Sequence, residues 1–267
     1  KIFNELKKKL NEDKESYQVF WKEFGNVIKE GLCRPEEIRE QIMEACIFYS
    51  SEQKDYITLD EYTENMKEGQ ENIYYLTADS IEDGLSSPAL EVFKKQNIEV
   101  LILTDTVDDF WVTVSNEYKG KSVKNISSAD KKTDELLSKS SENLEDTEEG
   151  KMAVEIFKNL LSERVRDVRI SHKLEESPVM LVSAGEGMSI RMERYLVEQK
   201  QLHTTSTKTL EINLKHPIIQ SIIDKGETDE TRQMAINLFD LACIASGEPL
   251  KGSTEFTKRM FEMLKSV

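Results

Sequence analysis

Two glycines sit where a strand could hand over to a helix. The apolar run Val179-Met180-Leu181-Val182 is followed by Gly185-Glu186-Gly187, and a segment of helical periodicity starts at Met188. A glycine loop in that place can turn backbone N–H groups toward a phosphate. Here the third glycine and the Lys-Ser/Thr pair are missing, and Glu186 would repel an anion, so the phosphate reading is poor. Asp167, Ser171 and His172 are the residue types of a hydrolase triad. They lie close together on an expected strand, where successive side chains alternate faces and do not converge. His172, His203 and His216 share no ligand spacing. Asp105, Asp108 and Asp109 form an acidic cluster whose ordinary role is to cap a helix, with a divalent metal as the alternative. Cys33, Cys46 and Cys243 are odd in number and widely separated, which suits neither a disulfide framework nor a metal motif and points to a reducing compartment.

With no strong catalytic constellation, what remains is the chemistry of apolar contact. Met188, Met192, Tyr195 and Leu196 recur at i, i+4, i+7 and i+8, one face of a helix. On spacing alone this stripe reads as core. Its methionines would also suit a soft surface that accepts many partners.

The elements that position these residues follow from periodicity. The first fifty residues read as helical, with Tyr17, Phe20, Trp21, Phe24 and Ile28 on one stripe closed by Gly31. A second stripe, Ile38, Ile42, Ala45 and Cys46, follows Pro35. Thr58 and Glu61 make a capping box. Ile73 to Thr77, a helix from Ala89 to Lys95 and the apolar strand Val100 to Leu103 form a βαβ unit with a parallel strand pair. Ser127 to Gly150 is polar and marks a boundary, as a solvated helix or a linker. Beyond it come a helix through Met152, Ile156, Phe157, Leu160 and Leu161, and strands at Val165 to Ser171 and Val179 to Val182. A strand at Leu210 to Leu214 and a short helix from Pro217 complete this stretch.

The last two helices carry more apolar surface than one neighbour covers. Met234, Leu238, Leu241, Ala242 and Ala245 lie on the first, and Phe256, Met260, Met263 and Leu264 on the second. A two-fold four-helix bundle between two copies buries that surplus economically; packing on the chain's own domain is the alternative. The 267 residues are 38% hydrophobic and 33% charged with a net charge of -15, which disfavours nucleic acid and anionic lipid as partners. No run is apolar over a membrane-spanning length. The chain begins at Lys1 inside a helical pattern without an initiator Met, which suggests a piece of a longer protein.

Several long segments, in order, resemble the heat shock protein 90 chaperones. They are Tyr17-Gln18-Val19-Phe20-Trp21-Lys22-Glu23-Phe24-Gly25-Asn26-Val27-Ile28-Lys29-Glu30-Gly31 and Tyr62-Thr63-Glu64-Asn65-Met66-Lys67-Glu68-Gly69-Gln70 with Ile73-Tyr74-Tyr75. Ser86-Ser87-Pro88, Glu99-Val100-Leu101, Arg164-Val165-Arg166-Asp167-Val168-Arg169, Ser171-His172-Lys173-Leu174, Ser177-Pro178, and Asn213 with His216-Pro217 continue the likeness. The resemblance implies an α/β (α+β) chain. Residues 1–145 would be the distal part of the middle domain, a small αβα subdomain. Residues 146–267 would be a mixed α/β C-terminal dimerization domain ending in the helical hairpin of a four-helix bundle.

The resemblance also implies function. The full-length protein would be an ATP-dependent, stress-response chaperone of the bacterial type, in the cytoplasm. The ATP-binding domain and the catalytic arginine segment fall outside this stretch, so neither enzymatic activity nor ATP and Mg as cofactors are expected of it. Its partners would be a second copy of itself and non-native client proteins. The resemblance places Met188, Met192, Tyr195 and Leu196, with Phe110 or Trp111, in a client-facing cleft, and makes the Gly185 to Gly187 loop a hinge. Phe110 and Trp111 are expected on a strand, one facing the core and one facing out. A passive dimeric scaffold and a metal-dependent enzyme at Asp105 to Asp109 are the alternatives.

Overall fold

The computed structural model describes residues 2–34, 38–128, 131–138, 144–183 and 188–265. The chain divides into two compact units, residues 1–126 and 127–267.

The first unit opens with α1 (Ile2–Glu12) and α2 (Lys14–Glu30). Next come α3 (Arg39–Met43), β1 (Ile47–Ser50), β2 (Tyr56–Thr58), α4 (Leu59–Glu64) and β3 (Ile73–Thr77). It closes with α5 (Ile81–Ser86), α6 (Glu91–Lys95), β4 (Leu101–Leu103), α7 (Asp108–Val114), β5 (Glu117–Tyr118) and β6 (Lys121–Asn125). Its sheet has the order β2-β1-β4-β3-β6-β5. β3 lies parallel to β4 and to β6, whereas β1 runs antiparallel to β2 and β4. Strand periodicity sorts the core onto both faces. Ile73, Tyr75, Leu101 and Leu103 join Tyr17 and Trp21 of α2 and Trp111 of α7 in one cluster. Tyr74 points the other way and meets Phe93 of α6 edge-on at 5.2 Å. On that side Gly84 of α5 also closes on Ile102, where a Cβ would collide with the isoleucine side chain. The sheet is therefore sandwiched between helices.

The expected βαβ unit and the Thr58–Glu61 capping box are present; Thr58 Oγ1 accepts from Glu61 N at 3.0 Å. The helical reading of the first fifty residues is corrected after Met43. Ile47 to Ser50 is a strand, because its β-branched and aromatic residues find partners on both sides: Tyr56–Thr58 and the distant β4. Pro35 lies outside the described residues.

The second unit comprises α8 (Lys131–Ser138), α9 (Glu148–Leu161), β7 (Asp167–Ile170), β8 (Val179–Val182) and α10 (Ile190–Glu198). They are followed by β9 (Thr209–Ile212), α11 (Pro217–Lys225), α12 (Asp229–Ala245) and α13 (Ser253–Lys265). Its sheet has β9 in the centre, parallel to β7 and antiparallel to β8. α9, α11 and α12 contribute Phe157, Ile219, Ile222, Ala235 and Leu238 to its core.

Glu211 on the central strand is fully buried. It accepts from Ser171 Oγ at 2.6 Å and from Arg169 Nε at 2.9 Å, and lies 3.7 Å from the Nζ of Lys173, itself without exposure. Lys173 also donates to Ser128 O at 2.7 Å, which ties the segment before α8 to this sheet. Arg169 reaches Asp134 of α8 at 3.2 Å. Burial alone would raise the Glu211 pKa, but Lys173, Arg169 and the Ser171 hydroxyl outweigh it and hold the carboxyl below its ordinary value of 4.5. A folded value below the unfolded one adds stability above pH 4.5 that disappears as pH falls through the folded value. Lys173→Met, which leaves a buried carboxylate with one cation fewer, is expected to cost about 3 kcal/mol in urea unfolding at pH 7. Glu211→Gln is expected to flatten the stability profile below pH 4.5.

Candidate functional site: the C-terminal helices and the α7 aromatics

α10 begins at a serine cap: Ser189 Oγ accepts from Met192 N at 2.9 Å. Met188 therefore precedes the helix instead of opening its stripe, which corrects the expected register; it is 37% exposed. Ile190 enters the core of its unit. Met192, Tyr195 and Leu196 are half-buried and lie outside that core cluster. The side of the helix around Ile190 is anchored. Glu193 takes Lys208 Nζ and the N–H and hydroxyl of Ser206. Arg194 Nη1 donates to Gly247 O at 3.1 Å. Burial raises the Glu193 pKa, but the Lys208 and Ser206 bonds lower it more, so the carboxylate stays charged. Gly185, Glu186 and Gly187, the expected hinge, lie outside the described residues.

The terminal helices divide the expected dimerization set. Leu238 and Ala242 face inward and belong to the core of their own unit. Met234, Phe256 and Met260 are half-buried. Leu241, Ala245, Met263 and Leu264 are exposed. The exposed face also takes in Ile244 and Phe261, 51% and 60% exposed. Ile244 was legible as the i+3 partner of Leu241 on the same helical face. α13 has no buried residue. Arg259 ties it to α12, donating to Asn237 Oδ1 at 2.8 Å and pairing with Asp240.

Phe110 and Trp111 lie on α7, not on a strand. The helix forms because Asp108 Oδ2 accepts from Asp105 N at 2.9 Å, folding the chain into its first turn. Trp111 is 1% exposed, its ring tilted against Phe48 at 5.7 Å, and its Nε1 donates to Asp108 Oδ1 at 2.7 Å. Lys29, also buried, sits 2.7 Å from Asp108 and 2.7 Å from Asp105. Burial lowers the Lys29 pKa, yet the two aspartates outweigh it and the net shift is upward. A cation of the protein thus occupies the acidic cluster, and no group of three metal-ligating side chains occurs among the described residues. Phe110 is half-buried and is the aromatic of the pair with surface to offer.

The side chains that could serve a hydrolase stay apart. Asp167 pairs with Lys158 at 2.6 Å and Ser171 bonds Glu211. A cleft of about 580 Å³ lies between the Leu160–Arg164 segment and α12. Its thiol, Cys243, is pushed up to about 12, first by burial and then by Asp240 and Glu248, so it stays protonated at neutral pH.

The family model for the Hsp90 protein matches residues 1–267. The chain belongs to the Hsp90 family. It is 42% identical over 271 aligned residues to the chaperone protein HtpG of Rickettsia canadensis and 41% identical to those of Rickettsia typhi and Rickettsia bellii. Each alignment covers 99% of this chain and 44% of the relative, so the chain spans under half the length of the curated relatives it matches. No helix among the described residues is long and apolar enough to cross a membrane.

The burial of the two adjacent aromatics separates their roles. Trp111→Ala is expected to destabilise the first unit by about 3–5 kcal/mol in chemical unfolding. Phe110→Ala should cost about 1 kcal/mol or less and leave the unfolding transition cooperative.

Proposed function

We propose that this Hsp90-family chain forms a homodimer through α12 and α13 and holds non-native client protein on the apolar side of α10. The observation that carries the dimer is α13 itself: it has no fully buried residue and exposes Phe261, Met263 and Leu264, while Leu241 and Ile244 of the preceding α12 are exposed as well. Covering the exposed half of these five side chains on each of two copies is worth on the order of 10–15 kcal/mol. Association costs roughly 4–15 kcal/mol, so a micromolar dimer, which needs about 8 kcal/mol net, is reached toward the favourable end of this balance.

Client contact is supported by the half-buried Met192, Tyr195 and Leu196, by Met188 ahead of the cap, and by Phe110 on the other unit. Methionine adapts to differently shaped apolar partners, and two modest sites on one dimer add avidity. In the longer protein these surfaces would serve an ATP-dependent folding cycle in the cytoplasm. ATP and Mg would bind in a domain outside this stretch, and neither nucleic acid nor membrane is a partner. The net charge of -15 keeps a molecule with exposed apolar surface soluble.

Sedimentation equilibrium and client titration test the reading. The wild-type chain should dimerise at micromolar concentration, and Leu241→Asp with Phe261→Asp should give a folded monomer. Met192→Ser with Leu196→Ser should weaken binding of a reduced, alkylated model protein about tenfold or more while leaving the dimer intact. A monomeric wild type contradicts the dimer, and unchanged client affinity in the α10 variant leaves only a dimeric scaffold.

A further inference from the structure

Beyond the dimer and the client face taken singly, the geometry points to a mechanical link between them: we infer that Glu193, Arg194, Lys208 and Glu248 are positioning residues that couple client binding on α10 to dimerization through the α12–α13 turn. This inference rests on the function proposed above and specifies its regulation.

Glu193 and Arg194 flank the core-facing Ile190 on α10, with Arg194 about 160° from Met192 and Leu196 and Glu193 about 100° from Met192. Lys208, 3% exposed, pairs with Glu193 and lies 3.9 Å from Glu248 Oε2. Glu248 is pinned from its other oxygen by the Thr205 hydroxyl. One buried ammonium thus hydrogen-bonds a carboxylate on the client helix and faces a carboxylate in the turn across 3.9 Å, as an electrostatic contact without a hydrogen bond. Arg194 adds a second, independent bond to Gly247 O. Its guanidinium packs so closely that a Cβ at Gly247 would overlap it, and Gly247 holds a φ of +68° that favours glycine.

The turn continues stiffly into the exposed face of α12. Gly247 N donates to Ile244 O at 3.1 Å and Glu248 N to Cys243 O at 2.9 Å. Ile244 is one of the exposed residues that the second copy would cover. A partner that fixes the end of α12 fixes the turn, and the turn fixes the back of α10. Ordering at one site then lowers the ordering cost at the other, which is positive coupling without any ligand spanning both.

Linkage gives the test, with the reduced and alkylated model protein as client and the 267-residue chain as the sample. The dimer dissociation constant is measured with and without saturating client. In the wild type, client should tighten the dimer roughly 5- to 20-fold, and dimerization should tighten client binding by the same factor. Arg194→Met should bring that factor toward one while both separate events persist. Arg194→Lys, which keeps a donor within reach of Gly247 O, should restore part of it. Glu248→Gln, which keeps an acceptor for Thr205 but removes the charge facing Lys208, should also lower it, and serves if Arg194→Met does not fold. A wild-type factor of one, or a factor unchanged in both variants, overturns the coupling while leaving the dimer and client face standing. A wild type that neither dimerises nor binds client overturns the coupling together with the function it rests on.

Discussion

A helix with no fully buried residue draws little from its own chain's hydrophobic effect. α13 is such a helix: Phe256 and Met260 are half-buried, Phe261, Met263 and Leu264 are exposed, and Arg259 bonds Asn237 and Asp240 of α12. Thirteen residues are marginal as an isolated helix in water, so most of the stabilisation of α13 has to come from packing. That constraint organises the second unit. α12 is apolar around most of its circumference because one side closes its own core through Ala235, Leu238 and Ala242, while Leu241 and Ile244 turn outward. A second copy is the covering we propose.

Charge does the complementary work of fixing geometry. Lys29 with Asp108, Lys173 with Glu211, and Lys208 with Glu193 are three buried or nearly buried pairings in which removing one member would strand the other. Such pairs are weak sources of net stability but specific in direction. Each joins segments far apart in sequence or holds one helix at a defined angle: α7 against α2, the Ser128 segment against β9, and α10 against the strand entry at Lys208. Asp105 and Asp108 of the acidic cluster are engaged in this way.

What could be read beforehand was set by how local its causes are. The βαβ unit, the Thr58–Glu61 box and the terminal hairpin follow from runs and caps a few residues long. β1 was misread as helix because Ile38, Ile42, Ala45 and Cys46 keep helical spacing up to its edge, and its pairing with β4 is over fifty residues away. Leu210 to Leu214 alternates as an exposed-face strand would, yet Glu211 is buried because Lys173 and Arg169 neutralise it. Trp111 faces inward because Asp108, itself paired with buried Lys29, accepts its indole N–H and Phe48 packs against its ring, a fact of tertiary structure. Periodicity showed that α12 has surplus apolar surface; only packing showed that Leu238 and Ala242 serve the core and Leu241 and Ile244 do not.

The claim on which the rest turns is that α13 draws its stability from a second copy. Amide hydrogen exchange across residues 253–265, followed over a range of protein concentrations spanning the micromolar, measures this directly. Protection of α13 should rise with concentration and saturate together with the dimer. Exchange in α13 that stays fast and independent of concentration would contradict the account.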